Sequence, residues 1–306
     1  MRIAVIGLGV QGRKRRAIAG DQVVAVIDPV TPGADFQRVE DVPLASYDAA
    51  CVCVPDQEKF AIVRYLLANG KHVLVEKPVL GSPAEIRELI ELSRAKRAAC
   101  YTAYNHRFEP HIAGLKEILD SGSLGQIYLA KFFYGNGTAR DVRNSPWRDK
   151  DLGVFSDLGS HMLDMAHFLF GPHDEPGELW SADRFENKAP DHVLFGYRGQ
   201  RVLEMEATLL SWRNTFNLDL FGELGSAHID CLCKWGPSTL TVRKRILPSG
   251  QPDETVDVIQ QPDPTWRLEY NHFLELCSTG GTNLDNDIWI SEKISQLSEV
   301  MRNSRS

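Results

Sequence analysis

No run in this 306-residue chain approaches the ~18 consecutive apolar residues that a membrane-spanning helix needs. The apolar stretch Ile3 to Ile6 is cut by glycines and then followed by Arg13-Lys14-Arg15-Arg16. A secretory leader places its charges before its apolar segment, so a cytoplasmic protein without a membrane partner is expected. Basic excess is also missing. Forty-one acidic side chains face 34 basic ones, a net charge of -7, which argues against nucleic acid as the main partner. A local positive pocket for one small anion stays compatible with that balance. Cysteine is sparse, at six residues: Cys51, Cys53, Cys100, Cys231, Cys233 and Cys277. None forms the Cys-x-x-Cys spacing of a zinc site, so no metal is expected. Cys51/Cys53 and Cys231/Cys233 are spaced i, i+2 in apparent strands, which places each pair on one sheet face as buried free thiols. Internal repeats and low-complexity segments are absent too.

What is there is ordinary for a globular protein: 43% hydrophobic and 25% charged residues, in a length that favours two domains. The first hundred residues alternate apolar strands with helices. Strands are predicted at Arg2–Ile6, Val23–Ile27, Ala49–Val54 and His72–Val75. Helices are predicted through about Ala19, around Phe60, Val63 and Leu67, and from Ser82-Pro83-Ala84-Glu85, a capping box with proline at the first helical position. Strands that are apolar throughout and alternate with helices indicate a parallel sheet covered on both faces. Only about 20 residues, including Pro29, Pro32 and Gly33, join Asp28 to the next strand, so a shortened connection is expected there.

Beyond about Tyr104 the pattern changes. Helices are predicted at Pro110–Ser121 and Asp157–Phe170, with a strand at Gln126–Tyr134 between them. Alternating segments follow at 179–185, 192–197, 201–210, 215–221, 227–232 and 239–246, then helices near 266–277 and 291–302. Successive strands with short turns suggest a largely antiparallel sheet.

Gly7-Leu8-Gly9-Val10-Gln11-Gly12 reads G-x-G-x-x-G between the first strand and the first helix. Such glycines permit a tight turn and let backbone approach a pyrophosphate at the positive end of the helix. Asp28 ends the second strand 21 positions after Gly7, where a carboxylate accepts from adenosine ribose hydroxyls. The expectation is a Rossmann dinucleotide site. NAD is favoured because Asp28 would repel a 2′-phosphate, and Arg38 in the following loop is the feature that would admit NADP. Arg13 to Arg16 crowd the first turn of that helix, where the dipole disfavours cations, and a bound diphosphate would relieve the cost.

Two further groups carry chemistry. Glu76-Lys77-Pro78 closes a strand at the carboxyl edge of the sheet, where ligands of open α/β sheets bind. A lysine there either stabilises a developing alkoxide or belongs to a strand-end ion pair. Asp157 and His161 stand at i, i+4, on one face if the segment is helical. Asp157, or Asp164 at i+3 from His161, would make that imidazole a general base near neutral pH. The structural alternative is Asp157 as a helix cap and His161 as a core histidine. His161, Asp164 and His167 do not share one helical face well enough for a metal.

Taken together these residues resemble the glucose–fructose oxidoreductase, inositol dehydrogenase and MocA (Gfo/Idh/MocA) family over nearly the whole chain. The resemblance rests on Gly7 to Gly12, Glu76-Lys77-Pro78, Tyr104-Asn105-His106-Arg107-Phe108, Trp147-Arg148, Asp157 through Asp164, and Phe221-Gly222-Glu223-Leu224-Gly225-Ser226. It implies an α/β fold with an N-terminal Rossmann domain, a doubly wound parallel sheet over residues 1–103. The remaining 104–306 would form an α+β domain with a largely antiparallel, open-faced sheet that binds substrate and mediates homo-oligomers, dimers or tetramers. It implies hydride transfer between NAD, or NADP, and a hydroxyl or keto carbon of a sugar, cyclitol or sugar nucleotide. His161 would exchange the hydroxyl proton, Lys77 would bond the same oxygen, and Asp157 would support substrate or His161. Cofactor contacts would come from Gly7, Leu8, Gly9, Val10, Gln11, Gly12, Asp28, Val54, Pro55, Glu76, Lys77, Asn105, Trp147 and Arg148, with Tyr270 a weaker candidate. Departures are Asp151-Leu152-Gly153 where three glycines are common, Lys59 where a histidine is common, and Val54 for a threonine. The segment from Tyr134 to Arg148 looks most like members of polysaccharide and sugar-nucleotide pathways. An NAD-using glycosidase and a non-catalytic ligand sensor are the competing classes.

Overall fold

Small and β-branched residues form the strands of the first sheet because both of its faces are covered. Strands β1 (Ile3–Ile6), β2 (Val23–Ile27), β3 (Ala49–Val52), β4 (His72–Glu76) and β5 (Cys100–Ala103) pair in parallel in the order β2-β1-β3-β4-β5. Ala4, Ile6, Ala50, Val52, Val73 and Val75 are buried on one face, in the cluster that α2 (Asp56–Ala68) and α3 (Pro83–Lys96) complete. Ile3, Val5, Cys51 and Leu74 are equally buried on the other. Helix α1 (Val10–Ala19) packs on β1 and β3. The predicted box at α3 is present. Ser82 Oγ accepts from Glu85 N, and Glu85 Oε2 accepts from Ser82 N.

This computed structural model describes residues 1–145 and 148–303. It divides into two units, Met1–Asn105 with Trp266–Glu292, and His106–Thr265 with the residues from Lys293 onward. The stretch from 104 to 306, expected to form one domain, therefore returns a segment to the first unit. That segment holds most of α7 (Thr265–Thr279) and the start of α8 (Leu284–Asn303).

The connection after β2 contains no α-helix, only 3-10 turns at Val39–Asp41 and Leu44–Ser46. Its first residues fold back along β2. Asp28 N donates to Phe36 O, Asp35 N and Phe36 N donate to Val26 O, and Val26 N donates to Asp35 Oδ2. The opposite edge is occupied in the same way. Cys100 N donates to Gly281 O, Thr102 N to Asn283 Oδ1, and Asn283 Nδ2 to Thr102 O.

In the second unit the strands alternate between core and solvent. The eight-stranded order is β13-β12-β11-β10-β6-β9-β8-β7, with β6 (Ile127–Gly135) and β9 (Val202–Thr208) its parallel pair. The others are β7 (Gly177–Asp183), β8 (His192–Arg198), β10 (Thr215–Gly222), β11 (Gly225–Asp230), β12 (Ser238–Lys244) and β13 (Asp253–Ile259). Phe132, Phe195, Met205, Phe216, Leu218 and Ile229 are buried on one face, while the intervening residues are half-exposed, the pattern of a sheet with one solvated face. Helix α4 (Pro110–Asp120) packs on β11 and β12. The unit also holds α5 (Ala139–Arg143) and α6 (Ser160–Phe170). Cys231 and Cys233 lie beyond the end of β11 rather than inside a strand. All six cysteines are free thiols, and burial pushes Cys51 up to about 12.

The basic run in α1 corrects an expectation. The helix starts at Val10, so Arg13 to Arg16 lie past its first turn, and Arg15 points inward. Its guanidinium is 1% exposed, with Nε 2.7 Å from Glu76 Oε1 and Nη2 2.7 Å from Glu269 Oε2. It stacks 4.3 Å from the Trp266 ring centroid. Burial alone would lower its basicity, but Glu76 and Glu269 hold it above the ordinary value. Arg15 is therefore a core cation and not a diphosphate ligand. Because Glu269 is 0% exposed, Arg15→Met strands a carboxylate in the core. Urea unfolding of that variant is expected to lose about 3–5 kcal/mol, whereas a loss near zero would show that Glu269 simply protonates.

Candidate functional site

The predicted cofactor residues of the first unit follow the carboxyl ends of neighbouring strands. Ile6 is in register with Ile27 and Val52, Val52 with Val75, and Glu76 with Ala103. Gly7, Asp28, Val54, Lys77 and Asn105 therefore all emerge at the same edge. Because β1 lies between β2 and β3, the chain changes winding direction beside β1, the place where open α/β sheets bind ligands.

The glycines of the loop play different parts. Gly7 has φ +89, and a Cβ there would meet Cys53 O at 2.5 Å. A Cβ on Gly12 would lie 1.8 Å from Gly7 O, so this glycine lets the helix close on the turn. Gly9 is the N-cap of α1 with no side-chain cap, and a Cβ there would meet nothing within 4 Å. Open space over an uncapped helix N-terminus fits a pyrophosphate. Leu8, Val10 and Gln11 complete this turn and the helix start, and Val54 reaches it from β3, its Cγ1 3.3 Å from the Cβ position of Gly7. Pro55, the next residue, stands at the N-cap position of α2 without a side-chain cap.

Asp28 does more than the sequence suggested. Its Oδ2 accepts from Leu8 N at 2.7 Å, and its Oδ1 accepts from Val30 N at 3.0 Å and Thr31 N at 2.7 Å. Burial would raise its pKa, but these backbone donors hold it below the ordinary carboxyl value, so it stays an anion. This anionic carboxylate fixes the glycine loop to the end of β2.

Two of the expected residues make other contacts through their side chains. The Glu76 carboxylate faces Arg15. Tyr270 is 1% exposed and donates its hydroxyl to Gln22 Oε1 at 2.8 Å, so it is a packing residue of the first unit. Trp147 lies outside the described residues.

In the second unit Asp157 does not begin an α-helix. Phe155–Gly159 forms a π-helical turn that leads into α6, and such turns are frequent at functional sites. The Asp157 carboxylate is 43% exposed and lies 3.8 Å from the Arg148 guanidinium. Asp164 is 1% exposed and takes two bonds from Arg107, one of 2.8 Å from Nε. It is therefore committed to Arg107 rather than orienting His161. Burial pushes Asp164 up while Arg107 pulls it down, and burial, helped by the Arg107 charge, takes His167 down to about 4.

His161, in the first turn of α6, is 8% exposed. Its ring centroid is 4.2 Å from that of His106 and 6.1 Å from that of Tyr134, and Tyr134 is 5.8 Å from Trp235. Burial raises the Tyr134 phenol well above its ordinary value, so it stays protonated. Lys234 Nζ sits 3.2 Å from His106 Nε2. A sheltered imidazole among aromatic rings is suited to taking and returning a proton. The sequence reading missed the contributions of His106, Lys234 and Trp235 because the loop that carries the last two contains no motif.

Residues 1–104 match the family model described as oxidoreductase family, NAD-binding Rossmann fold, and residues 112–228 match the C-terminal domain model of the same family. The chain belongs to the Gfo/Idh/MocA family. Its first unit carries the family's NAD-binding Rossmann domain. Inositol 2-dehydrogenase of Rhizobium meliloti is 24% identical over 192 residues, 58% of this chain and 56% of that protein. An uncharacterized oxidoreductase of Schizosaccharomyces pombe is 31% identical over 141 residues, 45% of this chain and 38% of that protein. Matches to the first three curated relatives span 38%, 56% and 34% of their lengths. Among solved structures, levoglucosan dehydrogenase in complex with NADH superposes with TM-score 0.81 at 18% identity, covering 98% of this chain and 97% of that one. UDP-N-acetylglucosamine 3-dehydrogenase from Acidithiobacillus ferrooxidans gives 0.76 at 19% identity, over 97% and 95%. At these identities the superpositions establish the fold alone.

The open cradle gives a direct test. At Gly9 φ is -64, which alanine adopts without strain. Gly9→Ala should melt with the parent protein yet bind NADH at least ~10-fold more weakly, about 1.4 kcal/mol, in a fluorescence titration. Unchanged NADH binding would remove the pyrophosphate from this loop.

Proposed function

We propose that this chain is an NAD-dependent dehydrogenase or reductase acting on a CH–OH group of a sugar, cyclitol or sugar nucleotide. The observation that carries the reading is the uncapped, open Gly9 turn beside the anionic Asp28, in a chain of this family. When bound, the nicotinamide accepts or supplies a hydride. Gly7 N and Leu8 N already donate to Ile27 O and Asp28 Oδ2, so they shape the turn. The N–H groups of Gly9 to Gly12 at the start of α1 hold the diphosphate, and Asp28 favours NAD over NADP. Val54, Pro55, Asn105, Arg148 and the backbone at Glu76 are the remaining cofactor-side positions.

The proton chemistry falls to side chains. Lys77 donates a hydrogen bond to the reacting hydroxyl oxygen and stabilises its negative charge. His161 takes the hydroxyl proton in oxidation and returns it in reduction. Asp157, paired with Arg148, supports substrate rather than orienting His161, a reading that its exposed carboxylate favours. The hydroxyl-rich substrate class is supported by relatives and structural neighbours named as dehydrogenases of inositol, levoglucosan and a sugar nucleotide. Association into dimers or tetramers is supported by apolar groups on the solvated side of the second sheet, such as Phe221, Val256 and Val258. No described helix is long and apolar enough to cross a membrane.

A panel of sugars, cyclitols and sugar nucleotides, followed by NADH absorbance with NADP in parallel, tests the reading. Net NADH accumulation with a polyol is expected, whereas glycoside cleavage without net NADH would reassign the chain to the glycosidase class. With the active substrate, His161→Ala should lower kcat at least ~100-fold and keep NADH affinity. A variant that turns over normally would refute the proton-transfer role.

A further inference from the structure

Lys59 is an expensive residue for its position. It lies in the second turn of α2, 3% exposed, where an apolar side chain would fill the space without burying a charge. Its Nζ donates to Pro78 O at 2.8 Å and pairs with Asp56 Oδ1 at 2.8 Å. Pro78 directly follows Lys77. Four residues beyond Lys77 the same segment is held again, because Gly81 N donates to Ser291 Oγ at 3.1 Å and Ser291 Oγ donates to Gly81 O at 2.8 Å. Gly81 also lies flush against the Phe60 ring, with a Cβ there meeting Cζ at 2.4 Å. The turn that presents Lys77 is thus fastened to α2 by one ammonium and one aromatic ring, and to α8 by one hydroxyl.

We propose that Lys59 is a positioning residue for Lys77, fixing through the Pro78 carbonyl the turn from which the Lys77 ammonium reaches substrate. This rests on the assignment of Lys77 above. Burial lowers the basicity of Lys59, and the nearby charge of Lys77 lowers it further, while Asp56 opposes both. A cation is held there against two unfavourable influences, which is understandable when its hydrogen bond to Pro78 is the purpose. A residue serving only to fill the core would be replaced by methionine without consequence for the turn.

Measurements on the full chain separate the possibilities. In Lys59→Met, backbone hydrogen exchange followed by mass spectrometry should speed up several-fold in the peptide covering residues 77–82, with the α1 and β1 peptides unchanged. The melting temperature should hold or rise, because an apolar side chain replaces a buried charge. With the polyol that the panel identifies, kcat should fall about 10-fold or more, while NADH affinity stays within about two-fold. In a Lys77→Met background, Lys59→Met should cost no further activity, as expected for residues that act through one another. Unchanged exchange at 77–82 together with unchanged kcat would overturn the role of Lys59. A drop in melting temperature with normal kcat would make it a structural residue only, which also overturns it. Full activity in Lys77→Met alone would instead refute the assignment of Lys77, while the exchange measurement would still report whether Lys59 fixes the turn.

Discussion

One buried guanidinium connects the parts of the first unit that carry its chemistry. Arg15 projects from the helix whose N-terminus forms the glycine cradle and bonds Glu76, the residue before Lys77. Its other face meets Glu269 and Trp266, on a helix that arrives from late in the sequence. The cradle helix, the end of β4 and α7 are therefore held to one another through a single charged centre. Two carboxylates and an aromatic face compensate the burial of one cation, and each would be costly without it. Asp28 makes a second tie, from the end of β2 to Leu8, with backbone donors in place of a cation.

These two ties explain what could and could not be read from the chain. The strand–glycine turn–helix order, the acidic residue at the end of β2 and the shortened connection after it are local signals, and they agree with the structure. The Ser82 capping box is local as well, since both partners lie within one turn. Arg15 was misread because its partners stand 61 residues away at Glu76 and further still at Glu269. A basic run on a helix looks like a solvated face until the partners are known. Strand β13 went unnoticed because Asp253, Glu254 and Asp257 hide its alternation, and almost all of it is exposed. Asp157 and His161 have the spacing of one helical face, yet the backbone between them is π-helical, and no sequence spacing encodes that distinction. Asp164 was left open as a partner for His161 because Arg107 lies 57 positions away.

The second unit shows the same division between local and distant causes. Alternation of apolar and polar residues identified most of its strands. The loop bearing Lys234 and Trp235 is placed by contacts far apart in sequence. Cys233 N donates to Glu109 Oε1, and Ser238 Oγ bonds both Cys231 O and the His111 ring. Glu109 is itself the cap of α4, so a helix cap and a loop anchor are served by one buried carboxylate.

The segment that folds back along β2 has an effect unrelated to catalysis. An outer strand normally offers a row of unused backbone donors and acceptors to any neighbouring chain. Here Asp35 and Phe36 occupy those of β2 at Val26, and residues 281–283 occupy those of β5. The outermost strand β13 of the other sheet is defended differently, by a line of carboxylates that repel their own copies. With these borders closed to strand addition, open-ended ribbons of copies are disfavoured at both edges of the first sheet and at β13 of the second.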